Sequence, residues 1–123
     1  MGVTDWTSFL RDDLRLDVHI EYDRGEPRRY SFQLSGYVGG EWVTLVRYDT
    51  AHGEPHRHIC YPNGAVEMMP FVAVLPITFV GWVQRDIQEH AEHYLEEYGR
   101  QAMNLLMGRS ECPRVNSSAR TWD

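Results

Sequence analysis

Residues 14–23 constrain the fold more than any other stretch. Leu14, Leu16, Val18, Ile20 and Tyr22 alternate without a break with Arg15, Asp17, His19, Glu21 and Asp23. Successive side chains of a strand point to opposite faces, so this period describes a strand with one face in a core and the other in water. An antiparallel sheet presents one dry and one wet face in this way. A two-stranded hairpin alone is marginal, so further strands must accompany it. They are legible downstream. "DRGEPRR" is a turn, and Tyr30, Phe32 and Leu34 then alternate with Ser31, Gln33 and Ser35. Gly39–Gly40 makes a tight hairpin into "EWVTLVRYD". That strand is apolar on both faces through Trp42, Val43, Leu45 and Val46, which predicts a place inside the sheet.

"RHICY" resumes as a strand, "PNG" at 62–64 turns it, and "AVEMM" returns. Ahead of the alternating strand, "TDWTSFLRDD" (4–13) reads as a short amphipathic arm or helix, with Trp6, Phe9 and Leu10 on one side. From Pro76 the period becomes helical. Phe79, Val83, Ile87, Ala91, Tyr94, Tyr98, Ala102 and Leu105 recur every three or four residues. Gly99 weakens that helix by roughly 1 kcal/mol against Ala, and a break is allowed there. The expected fold is α+β: an antiparallel meander of about five strands with one long C-terminal helix, over 77–107, on one face. Residues 1–108 are expected to form a single domain, and 109–123, which lack any period, a flexible tail.

A chain of 123 residues holds one core, and 42% apolar residues are enough to build it. The least polar stretch, "MMPFVAVLPITFVGWV", contains two prolines and is shorter than the ~20 residues a membrane span needs. No charged start leads into an apolar run, so a cytoplasmic protein is expected. Cys60 and Cys112 form no CxxC pair and are expected to be reduced thiols. Net charge is −6, which argues against a long nucleic-acid track but not against a pocket for one phosphate. Every one of the twelve basic residues is Arg, a planar fork suited to carboxylate or phosphate.

The chemistry-bearing residues gather in "RYDTAHGEPHRHICYPNG" (47–64), which packs three of six histidines into seven positions. With extended structure beginning near Pro55, His56, His58 and Cys60 share one face and Arg57, Ile59 and Tyr61 the other. His52 can fold back across Gly53, while Arg47 and Asp49 flank the entrance. Three readings are open. In the preferred one, two imidazoles act as general base and general acid in cleaving RNA, with Arg47 or Arg57 stabilising charge on the phosphate. In the second, His52, His56 and His58, with Cys60 as a further ligand, hold zinc or a similar ion. In the third, the histidines are ordinary surface residues of a turn. His90 and His93, among Asp86, Glu89, Glu92, Glu96 and Glu97, read as a solvated helix face, and His19 as an exposed strand residue.

The same segment resembles that of small bacterial and archaeal domains of unknown function. It is also distantly similar to the TumE-like toxins of toxin–antitoxin pairs, in which a Tyr-Asp-x-x-His stretch precedes a cluster of histidines. The resemblance spans roughly residues 14–98 and carries over to Tyr48, Asp49, His52, His56 and His58. It implies a small toxin-like protein that cleaves RNA and is encoded beside an antitoxin; no cofactor is expected on the acid–base reading, and zinc or a similar ion on the metal one. Cys60 and the chain after Gly108 lie outside the pattern. A different class also fits the residues: a non-catalytic interaction module, an adaptor or homodimer, working through a sheet edge and an acidic helix.

Overall fold

The structure is a computed structural model that describes residues 2–50, 55–70 and 76–108. Among these, six strands form one antiparallel sheet in simple chain order: β1 (Gly2–Arg11), β2 (Leu14–Asp23), β3 (Glu26–Val38), β4 (Glu41–Asp49), β5 (His56–Cys60) and β6 (Val66–Pro70). One helix, α1 (Pro76–Leu106), lies across β3 and β4. The architecture is the expected α+β meander with a helix on one face. The tail (109–123), Cys112 and His52 lie outside the described residues.

The sixth strand is β1. Residues 4–13 form no helical arm; they pair antiparallel with β2 from Gly2↔Tyr22 through Phe9↔Arg15. This pairing satisfies backbone groups along an edge of β2 that would otherwise stay open. It also separates Trp6, opposite Val18, from Phe9, opposite Arg15, so the two rings serve opposite faces. The helix runs without interruption through Gly99. Gly39 and Gly40, at φ +60° and +86°, close the β3–β4 hairpin in the left-handed pair of conformations that a two-residue turn requires.

The inner face is dry as the alternation demands. Leu14, Leu16, Val18 and Ile20 of β2 meet Tyr30, Phe32 and Leu34 of β3 and Leu45, Val46 and Tyr48 of β4. Val83, Ile87, Ala91 and Leu95 of α1 cover them at the spacing of one helix stripe. Gly36 sets the approach of helix to sheet. A Cβ there would stand 2.6 Å from Leu95 Cδ1 and 2.9 Å from Leu45 Cδ1. On β4 the pairing with β3 slips by one residue: Leu34 faces Val46, but Ser35 faces Thr44. The extra residue is a β-bulge, which leaves Leu45 and Val46 both buried toward the helix. It explains why this strand reads as apolar on both faces.

Candidate functional site

Pairing of β4 with β5 sorts the candidate residues between the two faces of the sheet. Arg47 lies opposite His58 and Asp49 opposite His56; between them Tyr48 lies opposite Arg57. Partners across a ladder share a face. Arg47, Asp49, His56 and His58 therefore stand together on the outer face. Tyr48 and Arg57 stand on the inner face beneath α1. Cys60, two residues beyond His58, shares the outer parity and is half-buried.

On the outer side Asp49 is the hub. Its Oδ2 accepts a hydrogen bond from Arg47 Nε at 3.1 Å, and its Oδ1 lies 3.4 Å from His58 Nε2. Asp49 is 5% exposed and His58 has no exposed surface, so the contact works in a poorly solvated place where charge interactions are strengthened. The His56 ring lies 6.1 Å from that of His58, centroid to centroid, at the edge of burial. A carboxylate bonded to one guanidinium, with one imidazole at 3.4 Å and a second alongside, contains the parts of an acid–base site. Among the described residues no three His, Cys, Asp or Glu side chains are grouped so as to hold a metal ion.

The inner side holds a second polar group that sequence reasoning missed. Asp86 of α1 is not part of a solvated acidic face; it is buried against the sheet at 7% exposure. Its Oδ2 accepts hydrogen bonds from the hydroxyls of Tyr48 and Tyr94, the latter at 2.9 Å, and lies 3.7 Å from Arg57 Nη1. Nδ1 of the half-exposed His90 is 3.0 Å from Asp86 Oδ1. The Arg57 guanidinium reaches the Tyr94 hydroxyl at 3.3 Å and stands 5.9 Å from the Trp82 ring centre. Burial, and then the bond to Asp86, push the Tyr48 and Tyr94 hydroxyls above the usual phenol range, so both stay protonated donors. A signal was present in the sequence. Position 86 is three residues from Val83 and one from Ile87, which puts it beside the core stripe and not opposite to it. Trp82, Asp86, His90 and Tyr94 also recur at four-residue intervals.

His19 stands apart from both groups, because β3 separates its strand from β4. Its Nδ1 is 2.5 Å from Asp5 Oδ1 and its Nε2 3.1 Å from Glu21 Oε2. The hydrogen bond to Asp5, then that to Glu21, hold its pKa above the ordinary imidazole value.

The molecule is thus a small α+β domain with one helix closing one face of a six-stranded antiparallel sheet and a histidine–carboxylate–arginine group on the other. The chain belongs to the family described as a domain of unknown function (DUF7718), whose model matches residues 1–104. No curated protein and no solved structure matches it. Among the described residues no helix is long and apolar enough to cross a membrane.

Proposed function

We propose that this protein is a toxin-like ribonuclease that cleaves RNA by general acid–base chemistry on the outer face of β4 and β5. One observation carries the reading: Asp49 stands between the Arg47 guanidinium, at 3.1 Å, and the His58 imidazole, at 3.4 Å, with His56 next on the same strand face. The likeness of Tyr48, Asp49, His52, His56 and His58 to the toxin motif supports it. His58 is fully enclosed, so its part is to position. His56, and His52 on the connection between Asp49 and His56, exchange protons with the substrate. One imidazole takes the proton of a ribose 2′-hydroxyl, whose oxygen attacks the adjacent phosphorus. The P–O5′ bond breaks as the other imidazole protonates the departing 5′-oxygen, leaving a 2′,3′-cyclic phosphate. Imidazole suits both transfers because it titrates near neutral pH, and each contributes about 10²–10⁴-fold. Arg47 faces the charge that builds on the phosphate oxygens. Tyr48 and Arg57 serve from beneath, by fixing the two strands to Asp86.

The test is cleavage of single-stranded RNA by purified protein in excess chelator. A bell-shaped pH profile and a loss of at least about 100-fold in His56→Ala and in Asp49→Asn are expected. Expression alone should slow growth in the cytoplasm, be cured by the same changes, and be neutralised by an antitoxin. Cleavage lost in chelator and restored by zinc would replace this mechanism with metal chemistry at His52, His56, His58 and Cys60. Harmless expression with intact RNA would retire the enzyme altogether.

A second reading is favoured by β1, a ten-residue edge strand exposed along nearly its whole length, with Val3 59% and Phe9 61% exposed. Long open edges pair with other strands. A non-catalytic module would bind a protein partner or a second copy there, or through Glu89, Glu92, Glu96 and Glu97 of α1. It should lose a basic partner on Glu96→Arg with Glu97→Arg, yet tolerate alanine at His56 and His58.

A further inference from the structure

We propose that the outer face of the sheet carries a stacking platform for single-stranded RNA, built from Phe9, Tyr37, Trp42 and Arg15. The choice of polymer rests on the ribonuclease reading; the platform itself is an independent arrangement of side chains. Phe9 of β1 packs edge-to-face with the Trp42 ring at 6.0 Å, and Tyr37 of β3 packs edge-to-face with the same ring at 5.4 Å. The Arg15 guanidinium lies 4.7 Å from the Trp42 ring centre. Phe9 is 61% and Tyr37 48% exposed, so a large aromatic surface faces water on the side of the sheet that the helix leaves open.

Rings on an open sheet face are the means by which single strands are held without reading their sequence, since every base offers a π-face. Arg15 adds a planar cation that stacks on bases as readily as it attracts phosphate. The platform is continuous with the proposed site. Trp42 and Arg47 project from the same face of β4, about 15 Å apart at the ordinary strand rise. Between them lie Thr44, paired with the buried Ser35, and Gln33 opposite Arg47, and no carboxylate stands among them.

Three further carboxylates on this face, Asp5, Asp17 and Glu21, are engaged. Asp17 accepts from Thr7 at 2.6 Å and Arg15 at 3.1 Å, while Asp5 and Glu21 hold His19. A chain with a net charge of −6 cannot collect RNA by counterion release along a basic track. Stacking must supply the binding energy, and salt dependence must therefore be shallow.

The experiment uses the full chain and a labelled single-stranded oligoribonucleotide methylated at every 2′-hydroxyl, which cannot donate the nucleophile and so reports binding apart from cleavage. Fluorescence anisotropy should show binding that weakens about tenfold in Phe9→Ala and in Tyr37→Ala, further in the double variant, and measurably in Arg15→Gln. Both rings are exposed, so folding should survive, and circular dichroism confirms it; Trp42→Phe, which keeps a ring, should bind better than Phe9→Ala. A duplex of the same sequence should bind more weakly. Binding with no cleavage of ordinary RNA would uphold the platform and retire the ribonuclease. Absence of binding by the natural chain, equal affinity for duplex, or variants that bind as the natural chain does would each overturn the platform. So would a Phe9→Ala change that only turns a dimer into monomers, which would make this patch a contact between copies.

Discussion

The phenol of Tyr48, on the central strand β4, donates its hydrogen to the carboxylate of Asp86, on the helix. Both groups are buried, with Tyr48 fully enclosed. This bond ties α1 to the strand whose flanking residues, Arg47 and Asp49, face the other way. A buried carboxylate with several donors is costly to disturb, because removing it leaves those donors enclosed and unsatisfied.

Asp86→Ala should therefore lower the unfolding free energy by about 3–5 kcal/mol, measured by urea denaturation. Tyr48→Phe, which removes only one donor, should lower it by about 2 kcal/mol. The two effects should be clearly non-additive in a double-mutant cycle, since the residues touch.

Alkaline pH should expose the same cluster. Burial raises Tyr30, and burial with the Asp86 bond raises Tyr48 and Tyr94, in the folded state. A phenol raised on folding stabilises the protein fully below its unfolded value and loses that contribution as pH climbs above it. The phenol contribution should hold up to about pH 9 and fall steeply beyond about pH 10. The fall should be shallower in Tyr48→Phe. A denaturation series between pH 7 and 11 reads this directly.

His19 should make the β1 edge sensitive to pH near neutrality. Its bonds to Asp5 on β1 and Glu21 on β2 raise its pKa on folding. The stabilisation is complete below the ordinary imidazole value of about 6.5 and is lost as pH rises through the raised value. Amide protection factors in β1, corrected for intrinsic exchange, should fall as pH rises above about 6.5, and Asp5→Asn should abolish most of that change.

Gly36→Ala should cost about 1–3 kcal/mol, with no change in secondary-structure content. The added methyl would meet both Leu95 and Leu45 closer than 3.0 Å in a filled core. Combining it with Leu95→Val should recover part of the loss, which thermal melts would show.

The sheet was legible where side-chain parity and burial coincide, as in β2, β3 and the hairpin at Gly39–Gly40. Residues 4–13 misled because β1 is an edge strand. Its burial pattern is nearly uniform exposure, so its apolar residues follow no period, and Trp6, Phe9 and Leu10 look like one side of a helix. The outer cluster could be placed because Arg47, Asp49, His56 and His58 each keep odd or even parity along short strands. Asp86 could not be recognised from its type, since an aspartate among glutamates on a helix resembles its solvated neighbours. Its donors come from positions 38 residues earlier and eight later, and only the fold brings them to it.

The bulge at Leu45–Val46 also makes β4 an arithmetic device. Upstream of it even-numbered residues, Trp42 and Thr44, look outward; downstream the odd-numbered ones, Arg47 and Asp49, do so. Deleting Leu45 would restore a regular ladder, with Thr44 opposite Ser35 and Val46 opposite Leu34, and every side chain beyond it would keep its face. Adding a residue between Val46 and Arg47, with no second bulge to absorb it, would instead turn Tyr48 out into solvent and drive Arg47 and Asp49 beneath the helix, so that the aromatic rings would no longer share a surface with the histidines. The bulge is thus a reserve of one residue: this strand can lose length at Leu45 and keep its two surfaces, whereas it cannot gain a residue beyond Val46 without exchanging them.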